Sequence, residues 1–336
     1  MDNQIMLANT PLEGVNYSFA EYVRRKKAQL SSHMSGNGLP DYAYCMDYEY
    51  RKKLDAVPGL YKNLRRLLIP QIQQAYQTYN MNGVKASPTQ FSEIYQMGCD
   101  CARILGIGIP NIIVVGDLDG DDFNACSYCV DDQEPLILIT GLMVQRMTPG
   151  ELKAIIGHEC GHTHNNHFIY EYAAQQLLNH GVSGLIGIPG FSQMAELLSS
   201  GVQILLHMWS RAAEVTADRA AMICCDSLED AYNADKKLIY GGTNLSGTVD
   251  INLDIDELKK QMDMVNDSPY RFNELLYNHP ISVRRVFADM EFAKCETLYS
   301  WRPDLKKPGI KLQSKIATDE VCKKIIGVMK AKEDRK

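Results

Sequence analysis

The chain has 336 residues, 45% of them hydrophobic and 23% charged, which is enough apolar material for a packed core and excludes a disordered or fibrous protein. Thirty-five basic against 41 acidic residues leave a formal charge of −6, so no global positive field argues for a nucleic-acid partner or an anionic membrane surface. Ten cysteines over this length are too sparse for a disulfide scaffold and fit a reducing, cytoplasmic setting, while the opening residues show neither the basic region nor the apolar run of a secretory signal.

Residues 1–85 read as an N-terminal helical extension, with apolar residues at three- and four-residue intervals in "SFAEYVRRKKAQL" and in the long stretch that starts at "YEYRKKLDAV". Its RRKK run at 24–27 is expected to be a solvated helix face. A compact domain is expected over 86–300. In "SPTQ", Ser87 is placed to cap a helix with Pro88 at its first position and Gln90 closing the cap, and that helix should end near Leu105. "NIIVV" at 111–115 and "PLILIT" at 135–140 read as short buried strands separated by an acidic loop that lacks calcium-loop spacing. "TPGELKAIIGHECGHTHNNHFIYEYAAQQLL" reads as the best-defined helix: Thr148 caps it, Pro149 takes the first position and Glu151 returns the cap. The uncharged stretches 173–195 and 197–210 are interrupted by polar residues, glycines and Pro189, so a helical hairpin or lid is expected rather than a membrane span, with peripheral membrane contact left open. Further helices are expected over "ILLHMWSRAAEVTADRAAMICC", "LDIDELKKQMDMV" and "HPISVRRVFADMEFAK", and residues 301–336 form a basic C-terminal part, read as a weakly docked helix or an exposed arm.

His158, Glu159 and His162 form the H-E-x-x-H arrangement. Four residues along a helix turn it by roughly 400°, so both imidazoles leave one face a turn apart and can meet one ion, with Glu159 beside them. Zinc binds imidazole well but needs about four ligands, so a further one must come from another element. Metzincin spacing would require a histidine at 168, where the chain has Phe168. His167, nine residues after His158 on the same helix, is turned about 180° away from the metal face, His164 also points well off it, and both are read as ordinary polar histidines. Glu214 in "RAAEVTADRA" is the better candidate, with Asp218 one turn later, able to accept from the outer nitrogen of a ligating histidine. A surface acidic pair is the plain alternative, and the mostly apolar helix around the two residues weighs against it.

Together these segments resemble the metallopeptidase family that includes the heat-shock protease HtpX and the CAAX prenyl endopeptidases, an M48-like gluzincin group. The resemblance is carried in order by "NA" at 124–125, "LILITGLM" at 136–143, "ELKAIIGHECGH" at 151–162, "RAAEVTADRA" at 211–220 and "HPISVRRV" at 279–286, and it covers about 200 residues. It implies an α+β, mainly helical, zincin-like metalloprotease domain with a small mixed sheet and long helices carrying the ligands of one catalytic zinc ion: His158, His162 and Glu214. By the same resemblance Glu159 serves as the catalytic base, Asp218 supports a ligand, and His279 and Arg285 lie at the active site, where either could steady an oxyanion or fix a substrate carbonyl. Asn124 and the strand Leu136, Ile137, Leu138, Ile139 and Thr140 resemble a substrate-binding edge. Many members carry membrane segments in the interval matching 173–210, which is broken and polar here, so prenylated or membrane-embedded substrates are not inherited from the resemblance.

The expected activity is zinc-dependent endoproteolysis of peptide or unfolded-protein substrates. A small-peptide hydrolase or aminopeptidase is the alternative within enzymes, and a latent, zinc-containing peptide-binding protein is the alternative outside them. Cys126 and Cys129 have C-x-x-C spacing and are expected to be free thiols, since a lone pair of this kind is weak evidence for a metal or redox site.

Overall fold

The computed structural model describes residues 19–28, 33–35, 38–118, 120–130, 134–185, 200–240, 254–268, 274 and 282–327. Its elements in chain order are α1 (Phe19–Ala28), α2 (Cys45–Asp55), α3 (Leu60–Asn82), β1 (Val84–Lys85), α4 (Ser92–Leu105), β2 (Asn111–Val115), β3 (Ala125–Tyr128), β4 (Leu136–Thr140), α5 (Gly141–Arg146), α6 (Pro149–Asn165), α7 (Phe168–Leu185), α8 (Ser200–Cys224), α9 (Leu228–Ile239), α10 (Ile255–Asp267), α11 (Ser282–Phe292), α12 (Glu296–Trp301) and α13 (Lys315–Ile326). This is the mainly helical α+β architecture with a small sheet that the pattern of elements implies.

The four strands lie in the order β1-β2-β4-β3, with β2 and β4 parallel and the two outer strands antiparallel to their neighbours. Alternation along the strands sends Ile113, Val115, Leu136 and Leu138 toward Tyr76 and Tyr79 of α3, and Ile112, Val114, Ile137 and Ile139 into the main core with Ile94, Ala102 and Ile156. The sheet is therefore covered on both faces, one of them by a helix from the N-terminal region. That region is woven in further still: Tyr42, Leu54, Leu60 and Leu64 are fully buried.

Three local expectations are corrected. Ser87 caps no helix: its hydroxyl accepts from the Thr89 N–H, its backbone closes a turn with Gln90, and α4 starts only after Phe91, which sits at φ 49°. A third strand, β3, lies within the stretch read as a loop, where four residues without apolar alternation give no periodic signal. The C-terminal part is firmly docked through α13, with Cys322 and Thr318 fully buried and Asp319 paired at 2.7 Å to the buried Arg219 of α8.

The cap of α6 forms as expected, with Thr148 accepting from the Glu151 N–H and Glu151 accepting from the Thr148 N–H. The helix then crosses α8 at very short range. A Cβ at Gly157 would stand 2.6 Å from the Cys224 Cβ, and one at Gly161 would stand 2.6 Å from the Ala220 Cβ and 3.0 Å from the Ala217 Cα. Only glycine on α6, facing small residues on α8, permits this approach. Gly161→Val is expected to lower stability by at least about 1–3 kcal/mol through overpacking of the seam, checked by urea unfolding of the full chain.

Candidate metal centre

The α6–α8 crossing brings His158, His162 and Glu214 together, with one donor atom from each lying within 4.8 Å of the others. The two Nε2 atoms are 3.0 Å apart, His158 Nε2 is 3.6 Å from Glu214 Oε2, and His162 Nε2 is 3.5 Å from Glu214 Oε1. Metal–ligand bonds of about 2.0–2.1 Å in tetrahedral geometry would place neighbouring donors about 3.3–3.4 Å apart, so this spacing fits a zinc-sized ion. Glu159 is buried beside them and is close enough for its charge to act on His162.

The outer nitrogens are held. His158 Nδ1 lies 2.9 Å from Asp218 Oδ1, which leaves Nε2 to face inward. Asp218 is in turn gripped by Arg285, which donates from Nε to Oδ2 at 2.8 Å and from Nη2 to Oδ1 at 2.5 Å, while Arg285 Nη1 lies 3.3 Å from Glu214 Oε2. Burial works against charge on both partners, but the pairing wins: Asp218 is held below the ordinary carboxylate range and Arg285 above the ordinary guanidinium value. Next to this pair, burial and the Asp218 charge push the carboxyls of Asp235 and Asp289 up.

His162 is held differently. Its Nδ1 lies 3.1 Å from Glu171 Oε2 on α7 and 3.0 Å from His167 Nδ1. Burial opposes a charge on this ring, but Glu171, Glu214 and Glu159 outweigh it and hold its pKa at about 10 in the absence of an ion. His167 does not continue the helix. Asn166 adopts the left-handed region at φ 53°, the N–H groups of Asn166 and His167 both return to the His162 carbonyl, and the chain folds back so that His167 stacks edge-on against His162. The reading of His167 as a histidine facing away from the centre is thereby corrected. The signal in the sequence was the Asn-Asn pair before it, since asparagine is a frequent residue at a left-handed helix end. His164 faces Tyr42, whose hydroxyl lies 3.0 Å from its Nδ1.

The expected substrate edge also needs correction. Leu136–Ile139 pair with β2 on one side and β3 on the other, and the Thr140 N–H donates to the Asn124 carbonyl, so β4 has no open edge. Among the described residues β3, which begins just after Asn124, is the outermost strand on this side of the sheet and packs against α6. His279 lies outside the described residues.

The family model for peptidase family M48 matches residues 88–289. This chain belongs to peptidase family M48. It is similar to the plastoglobule-localized metallopeptidase 48, chloroplastic, of Arabidopsis thaliana, with 25% identity over 252 residues, 73% of this chain and 70% of that protein. It is also similar to Protease HtpX of Xylella fastidiosa and of Xanthomonas euvesicatoria, each at 29% identity over 89 residues, 26% of this chain and 30% of theirs. No solved structure matches it significantly. As an M48 metallopeptidase, the chain places its histidine pair and its glutamate on the two helices that its glycine seam holds together. No helix among the described residues is long and apolar enough to cross a membrane.

Arg285→Leu removes the cation that faces Asp218 and Glu214. A loss of about 3–5 kcal/mol is expected, because breaking a buried pair leaves its partner's charge uncompensated; equilibrium urea denaturation measures it.

Proposed function

We propose that this M48 metallopeptidase is a zinc-dependent endopeptidase acting on peptides or unfolded proteins. The observation that carries the reading is the convergence of both histidine Nε2 atoms and the Glu214 carboxylate, with Glu159 buried on the same helix turn. His158, His162 and Glu214 would hold the ion. When bound, zinc supplies Lewis-acid polarisation of the scissile carbonyl and lowers the pKa of water. Glu159 takes the proton of the attacking water and delivers it to the leaving amine. Asp218 orients His158. Arg285 has Nε, Nη1 and Nη2 directed at Asp218 and Glu214, so its role here is to hold those carboxylates rather than to meet an oxyanion, and that part falls to His279.

Burial of Tyr42, Tyr44 and Asp47 in the core favours an N-terminal region that is built into the enzyme rather than one that masks it.

Glu159→Gln should bind zinc as the wild type does and lose turnover by at least about 100-fold, the scale of a general base. Side-by-side digestion of an unbiased peptide mixture, read by mass spectrometry, tests this: internal cuts made by wild type alone support the endopeptidase, and comparable cutting by the variant removes Glu159 as base. Glu214→Ala should bind zinc far more weakly in chelator competition, and unchanged affinity would mean that the third ligand is elsewhere.

A further inference from the structure

Asp47 is a carboxylate in the N-terminal region, remote in sequence from every residue of the metal centre, and it is fully buried. Its oxygens meet only hydrogen donors among the partners seen here. Trp209 Nε1–H donates to Oδ1 at 2.9 Å, and the Thr216 hydroxyl donates to Oδ2 at 2.8 Å. Thr216 is itself the acceptor of the Tyr44 backbone N–H at 3.1 Å, which leaves its own proton free for Asp47. The third partner is His167, whose Nε2 lies 3.0 Å from Oδ2. A carboxylate can only accept, so His167 carries its proton on Nε2 and its Nδ1 is a bare lone pair. That lone pair is the atom 3.0 Å from His162 Nδ1.

Resting on the zinc reading above, we propose that Asp47 and His167 are positioning residues that act in series: Asp47 fixes the tautomer of His167, and His167 accepts from His162 Nδ1–H, so that His162 turns a bare Nε2 toward the ion. Glu171 shares the same proton from the other side at 3.1 Å. With His167 in the opposite tautomer, its N–H would point at the His162 N–H and set two donors against each other, and the ring of His162 would have to turn. Asp218 acts on His158 directly; Asp47 acts on His162 through one intervening ring. The relay makes α2, far upstream of the H-E-x-x-H helix, a working part of the metal centre.

The test uses the full-length chain loaded with zinc and labelled with 15N at its eight histidines, and reads the His167 tautomer by NMR together with zinc affinity by chelator competition. In wild type His167 should show a protonated Nε2 and a bare Nδ1. In Asp47→Asn, whose amide can face His167 with either its oxygen or its NH2 group, that signature should be lost or mixed, and zinc affinity should fall 10–100-fold. His167→Leu should weaken zinc to a similar degree. His167→Gln, able to accept from His162 and donate to Asp47 at once, should restore affinity to within a few-fold of wild type. A wild-type tautomer in Asp47→Asn, whether or not affinity falls, overturns the relay, as does wild-type affinity in His167→Leu. A wild-type chain that holds no stoichiometric zinc overturns the metal reading itself, and the relay with it.

Discussion

The structure depends on the close approach of two helices. Gly157 and Gly161 on α6 face Ala217, Ala220, Ala221 and Cys224 on α8, and the absence of side chains on one side lets the backbones come within a distance that ordinary residues would prevent. His158 and His162 each follow one of these glycines in the chain. The seam that brings the helices together therefore also fixes how far both imidazoles stand from Glu214. Because packed interiors do not deform continuously, a metal centre built on two rigid helices inherits the precision of their contact.

Buried charge is the cost of such a site. Glu214 and Asp218 lie on one turn-spaced face of α8, both buried, and a carboxylate so far from water is costly unless a cation faces it. Arg285 answers both. The same helix carries Arg211, which pairs with Glu274 at 2.8 Å, and Arg219, which pairs with Asp319, so α8 binds itself to α11, α13 and the segment around Glu274 by charges spaced along its length. Arg284 joins Glu274 from the other side and caps the Ile325 carbonyl of α13. The C-terminal helix is thus held by the element that supplies the metal ligand.

The N-terminal region is drawn in by comparable forces. Tyr42 places its hydroxyl between His164 and Asn165, Tyr44 bonds Thr216, and Asp47 receives Trp209, Thr216 and His167. Helix α3 covers the face of the sheet that α4 and α6 do not. A helix packed on one sheet face leaves the other exposed unless something upstream covers it, and the last turns of α3 supply that cover through Tyr76 and Tyr79, while its Leu60, Leu64, Leu68 and Ile72 stripe packs with residues of α7 and α8.

Helix α6 was legible from its residues alone, because the Thr148 cap, Pro149 and Glu151 act locally and the spacing of His158 and His162 is a property of any helix. The strands "NIIVV" and "LILIT" were legible for the same reason, and Glu214, expected on an element other than the histidine helix, lies beside His158 and His162 on α8. What the residues could not reveal were facts that depend on chain reversal and pairing. Asn166 ends a helix whose periodicity runs on through His167, and only the fold shows that the next histidine turns back. Whether β4 is an edge depends on where β3 lies, and β3 is too short to announce itself. Arg285 has the charge to meet an oxyanion and the position to hold two carboxylates, and only distances decide between them. The sequence by itself determined the elements and the chemistry of the donor set, because caps, periodicity and ligand type are local. Tertiary structure alone decided what meets the outer nitrogens of His158 and His162, that β4 is paired on both sides and what pairs with the buried carboxylates of α8, because each of these is settled by residues far apart in the chain.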